Sequence, residues 1–175
     1  MSKLLTSYLL LTIFLMSVAS AVGCQTSRTD TANAAAAPSA TPGKFSEANI
    51  AKLKWIEGTW RGTSEKQPPF FERYHFEGTT MIVEGLADET LQKVNETSRF
   101  ELTNGEFGHT EGNSRSAAST ITDTAVQFIP VTGAKNSFRF EKQNDGTWNA
   151  IIEWPANGDK AARTIIYKME PWPKK

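Results

Sequence analysis

The chain has 175 residues, 39% of them hydrophobic, with 19 Lys and Arg against 19 Asp and Glu: enough apolar material for one packed domain, and no excess of either charge. Balanced charge without a basic stripe argues against a surface that tracks nucleic-acid phosphates. A single cysteine, Cys24, excludes an intramolecular disulfide and any zinc or iron–sulfur centre built from cysteines of one chain, so stability has to come from packing.

Residues 1–23 combine one cation, Lys3, with an uncharged apolar stretch over 4–22 that ends in the small residues Ala21, Val22 and Gly23 before Cys24. That is the pattern of a secretory signal peptide. The junction resembles a bacterial lipobox, which implies that Cys24 receives a lipid and becomes the mature N-terminus. Ala21 stands where that motif usually has Leu, leaving open cleavage near Ala19 or Ala21 with Cys24 as a free thiol, or retention as an uncleaved helix. A retained helix would be marginal, because about 20 predominantly apolar residues are needed to span a bilayer and Thr6, Ser7, Thr12, Ser17 and Ser20 interrupt this one. The expected protein is therefore exported and lipid-anchored in the bacterial cell envelope, facing the periplasm or the cell surface. Removing 1–23 takes away Lys3 alone, leaving 18 basic against 19 acidic residues. Residues 24–44 read as the attachment cysteine and a flexible tether of Thr, Ala, Ser, Asn and Pro, with too little to bury to offset its ordering entropy.

The folded domain is expected over 45–175. Ser46 has the character of a helix N-cap, with Phe45 before it and Ile50 four residues on in hydrophobic-staple spacing. A short helix to about Trp55 would bury Ile50, Leu53 and Ile56 and stop at Gly58. Beyond Gly58 the period becomes two, and the pattern predicts strands over 59–65, 70–76, 80–87, 97–102, 106–111, 116–122, 125–129, 137–142, 147–154 and 163–169. The dipeptides Asn104-Gly105 and Asp145-Gly146 accept positive φ and predict tight hairpins. With no βαβ spacing, the fold class is all-β: an antiparallel up-and-down barrel of about 8–10 strands behind one short N-terminal helix. The tail from Pro171 through Trp172 and Pro173 is expected to leave the sheet and lie over the wall or mouth.

The run Leu53, Lys54, Trp55, Ile56, Glu57, Gly58, Thr59, Trp60, Arg61, Gly62 resembles the opening of lipocalin-like (calycin-type) barrels, where a short helix leads into a Gly-x-Trp motif. It is also similar to a bacterial lipocalin-like family of unknown function, with Glu72-Arg73-Tyr74, 81–85 and Arg99-Phe100-Glu101 at plausible places. The resemblance implies that Trp60 closes one barrel end and packs against Arg163 of the last strand, guanidinium on indole. Nitrobindin-like haem barrels open with a similar Gly58, Trp60, Gly62 pattern, but they hold haem through a histidine near the C-terminus. The two histidines here are His75 and His109, so that haem chemistry is not expected, nor any other cofactor.

Candidate chemistry is sparse. His109 and Glu111 share a strand face, yet a stable metal site wants three or four convergent ligands and only His75 is left to help, so no metal is expected. Glu72, His75 and Glu84 lie among apolar neighbours; a carboxylate turned inward would have a raised pKa and acid–base potential, although surface pairing is the default reading. Ser114, Ser116 and Ser119 lack a nucleophile elbow or a base, and no catalytic residue is assigned. The aromatics Tyr74, Phe76, Phe100, Phe128, Phe138, Phe140, Trp148 and Tyr167 are candidates to line an interior pocket. The leading expectation is a non-catalytic envelope lipoprotein that binds a small apolar or amphipathic ligand inside the barrel, with membrane contact through the anchor alone. The alternative is a structural or protein-interaction module with a filled barrel; an enzymatic reading would need titratable residues converging inside.

Overall fold

The alternation after Gly58 becomes ten strands in the computed structural model, which describes residues 41–65 and 67–173. They are β1 (Gly58–Ser64), β2 (Gln67–Glu77), β3 (Thr80–Leu86), β4 (Val94–Thr103), β5 (Glu106–Glu111), β6 (Ser114–Ile121), β7 (Ala125–Thr132), β8 (Ser137–Lys142), β9 (Trp148–Trp154) and β10 (Arg163–Pro171). Each pairs antiparallel with its neighbours in the chain, and β1 closes on β10. Closure satisfies every ladder without leaving an edge. The predicted up-and-down barrel is therefore the observed one. The signal segment, Cys24 and the tether up to residue 40 lie outside the described residues, as do Lys66, Lys174 and Lys175. Among the described residues no helix is long and apolar enough to cross a membrane.

The predicted helix forms in two pieces, α1 (Glu47–Ala51) and a 3-10 turn over Lys52–Ile56. The Ser46 backbone N–H donates to Asn49 Oδ1 at 2.9 Å. Ile50, Leu53 and Ile56 are all buried against the barrel interior beside Trp60 and Trp148. Each such side chain contributes about 2 kcal/mol by leaving water, so this segment seals one end. The chain reaches the barrel slightly earlier than expected: Gly43 N–H donates to Ala118 O and Phe45 N–H to Gly105 O. At the β4–β5 hairpin Asn104 and Gly105 have φ of 53° and 79°, the paired left-handed conformation that a two-residue turn of this hand demands.

β7 outruns its predicted limit of 129 because Ser116 and Arg115 of β6 pair with Pro130 and Thr132 across a register shift. At the other terminus the tail lies on the outer wall. Trp172 accepts Phe71 against its ring at 5.5 Å, lies under the Arg61 guanidinium at 5.4 Å, and donates from Nε1 to Glu89 O at 3.3 Å.

Candidate functional site

Alternation divides the inner face into two halves. Near the sealed end, the side chains that face inward are aromatic and meet ring to ring: Tyr74 with Trp148 at 5.4 Å, Phe140 with Trp148 at 5.1 Å, Phe100 with Phe128 at 5.1 Å and Phe128 with Phe138 at 4.7 Å. Of the predicted pocket-lining residues, Tyr74, Phe100, Phe128, Phe138, Phe140 and Trp148 belong to this core, while Phe76 and Tyr167 are partly buried against it. They make a floor.

Trp60 joins that floor, edge-on to Trp148 at 5.8 Å with its Nε1 donating to Ile56 O at 2.8 Å. The pairing with Arg163 that the resemblance implied is not formed. Trp60 sits opposite Pro171, the last residue of β10, whereas Arg163 is the first. Eight residues of strand separate the two levels by about 26 Å. Arg163 instead stacks on Trp154, 4.1 Å from the ring centroid, at the open rim. The physical cause is antiparallel direction: β10 enters at the mouth and only reaches the Trp60 end at its C-terminus.

Above the floor the inner face mixes rings and acids, and Phe70 meets Tyr167 edge-on at 5.2 Å. One cross-strand row runs Trp60, Glu72, Gly85, Glu96 over β1, β2, β3 and β4. Glu72 is 6% exposed and accepts a hydrogen bond from the Tyr74 hydroxyl at 2.5 Å. Burial pushes the Glu72 carboxyl up to about 7; the Tyr74 hydrogen bond opposes that rise and the charge of Glu96 adds to it. Glu96 is raised as well, by burial and then by Glu111. Tyr74 is held well above the ordinary phenol range by burial and by Glu72. Gly85 lets the acids approach: a Cβ there would lie 2.8 Å from Glu96 Cγ and 2.9 Å from Glu96 Oε1.

Surface pairing is thus the wrong reading for Glu72, and the three residues weighed for acid–base work do not converge. Glu84 lies on the outer face, where Arg73 reaches it at 2.9 Å, and His75 sits opposite Ile82 on that same face. His109 does face inward, stacked on Phe100 at 4.9 Å with Nδ1 against Arg99 O. Among the described residues no group of three or more His, Cys, Asp and Glu is placed to hold a metal ion. Ser116, opposite His109, is 7% exposed and also faces in, whereas Ser119 is on a rearranged part of β6 with its hydroxyl against Gln127 O. Asn136, 6% exposed just before β8, has an Nδ2 without a hydrogen-bond partner.

Sequence reasoning missed Glu96, Gly85 and Asn136. The signal for Glu96 was present, since it alternates with Ser98 and the core residue Phe100, but its meeting with Glu72 depends on the registers of two strand pairs. No protein-family model matches the chain, and no curated protein matches it.

Proposed function

We propose that the chain is an exported envelope lipoprotein, anchored through Cys24, whose lipocalin-like barrel binds a small amphipathic molecule in its open half without transforming it. The carrying observation is Glu72: a carboxyl buried inside a closed ten-strand barrel without a cation partner among the described residues. A barrel of about eight strands is just filled by its own side chains, and this one has ten. A carboxyl at 6% exposure with no cation beside it among the described residues is poorly explained as core, because burying an acid that no positive charge offsets lowers stability. The lipocalin affinity rests on the Gly58 and Trp60 opening and on barrel closure, not on Arg163.

The filled-barrel interaction module would draw on an exposed apolar patch. The large exposed apolar side chains among the described residues are Val94, Val131 and Ile166, one each on β4, β7 and β10, which are not neighbours in the barrel. Scattering of this kind favours the ligand reading.

Native mass spectrometry of the full chain purified from its own host tests the proposal. A co-purifying small molecule that leaves on denaturation is expected, and a bare polypeptide mass in every preparation would refute binding. The anchor has its own test: mature protein should carry a diacylglyceryl mass on Cys24, and Cys24→Ala should release the chain from membranes into the soluble fraction.

A further inference from the structure

Burial on the inward face of β9 and β10 falls steadily toward the mouth. On β9, Trp148 and Ala150 are buried while Ile152 and Trp154 are half-buried; on β10, Met169 is buried, Tyr167 and Ile165 are half-buried and Arg163 is exposed. Phe70 of β2, edge-on to Tyr167, is half-buried as well. Side chains that point into a barrel and are still reached by solvent have no protein over them. This sector of the wall, from β9 round to β2, is an open apolar cup.

The rim of the cup carries free donors. Arg163 pairs across the sheet with Trp154, lies over that ring, and its charge reaches the Tyr167 hydroxyl. Ser137 pairs with Glu153, so Asn136, one residue earlier, stands beside Trp154 on the inward face that it shares with Phe138 and Phe140. Asn136 is 6% exposed, and its Nδ2 has no hydrogen-bond partner among the described residues. Buried amide donors in folded proteins are nearly always satisfied, by protein, water or ligand. Asn136, Trp154 and Arg163 form one row, with N–H donors on both sides of an indole.

Charge has the same sense. Lys135 and Lys160 lie in the loops that join β7 to β8 and β9 to β10, which also hold one acid, Asp159. Other cations are engaged or remote. Arg73, Arg99, Arg115, Arg139 and Lys168 pair with acids on the outer wall. Arg61 lies against Trp172 there, Lys93 acts on Asp88, and Lys142 ends β8 at the sealed end opposite Trp148. The inward acids Glu96 and Glu111 stand on β4 and β5, across the closed ring from β9 and β10, and Glu72 lies deeper, on the Trp60 row.

Resting on the reading that the barrel binds an amphipathic molecule, we propose that this molecule is a single-chain anionic amphiphile, its oxyanion head at the rim between Arg163 and Asn136 and its apolar chain in the cup over Ile152, Ile165 and Tyr167. A guanidinium fork matches the paired oxygens of a carboxylate or a phosphate, and Asn136 Nδ2 gains the acceptor it lacks. A cationic head would meet Arg163 with Lys135 and Lys160 nearby, and like charges repel.

The test compares four amphiphiles of equal tail length, dodecanoate, dodecyl phosphate, dodecyltrimethylammonium and dodecyl maltoside. Each is titrated into the full chain at pH 7.5 below its micelle concentration, with calorimetry and tryptophan fluorescence as readouts. At least one anion is expected to bind about tenfold more tightly than the cation and the maltoside, a difference of about 1.4 kcal/mol; the tighter of the two anions identifies the head as carboxylate or phosphate. Arg163→Gln should remove most of that preference and leave maltoside binding unchanged, and its exposed position keeps the fold intact. Asn136→Ala should weaken the anion severalfold, and Arg139→Gln, on the outer wall, should change nothing. Equal affinity for all four heads, or tightest binding of the cation, overturns the anion assignment and leaves the binding barrel standing. Anion binding that neither Arg163→Gln nor Asn136→Ala alters, or that Arg139→Gln lowers as much as they do, is adsorption to the outer surface and also overturns it. If none of the four binds, the assignment and the proposed function fall together.

Discussion

Glu72→Gln isolates the energetic cost of the interior acid. The ordinary carboxyl value is 4.5 and the folded one about 7, so the native state holds a proton that the unfolded chain gives up over that interval. Because the native state binds more protons there, stability falls as pH rises: the protonated form is fully favoured below pH 4.5, and the cost is complete above about 7. The gap of 2.5, from 7 less 4.5, corresponds to about 3 kcal/mol at 1.36 kcal/mol per unit. The neighbours that enter are Tyr74, through its hydrogen bond, and Glu96, through its charge; Glu72 and Arg163 act in turn on Tyr167. Asp88, Glu106 and Asp145 are held low by their hydrogen bonds and titrate below this window. Glutamine keeps the shape and an oxygen for Tyr74 but cannot ionise. The variant should match the parent within about 1 kcal/mol at pH 4.5 and exceed it by about 3 kcal/mol at pH 8, roughly 10 °C in Tm for a domain of this size. Urea melts of both chains at half-unit steps from pH 4.5 to 8 measure it. A difference that stays constant over that range would refute the claim that Glu72 is buried and uncompensated.

Tyr74→Phe removes the donor that opposes the rise in Glu72, so the same transition should move above 7 and stability should drop by about 1–3 kcal/mol, checked by melts over a wider pH range. Trp172→Ala strips the cover from Phe71 and from the Arg61 guanidinium; a loss of about 1–2 kcal/mol is expected, with faster hydrogen exchange at the residue 172 amide, which donates to the Thr59 carbonyl, and in β2. Gly108→Ala places a methyl 2.5 Å from the Ser116 backbone oxygen, so β5 and β6 must part; destabilisation of about 2 kcal/mol or more should appear in thermal melts, concentrated in that hairpin by hydrogen exchange.

Local pattern determined the elements of this protein. Period-two alternation and the turn dipeptides fixed all ten strands, two of them, Glu106–Glu111 and Ser137–Lys142, at their observed limits. Helical spacing fixed Ile50, Leu53 and Ile56 as buried. These signals are legible because a strand or helix face is set by residues a few positions apart. Which side chains meet across strands was decided by register, a property of the closed sheet alone. Arg163 illustrates the failure: sharing a strand with residues near Trp60 did not bring it to Trp60, because an antiparallel strand carries its two ends to opposite ends of the barrel. Glu72 illustrates the other half. Its alternation with Tyr74 was visible in the chain, but whether that face was core or solvent, and whether Glu96 came within reach over Gly85, followed only once three strands were laid side by side and the sheet had closed around them.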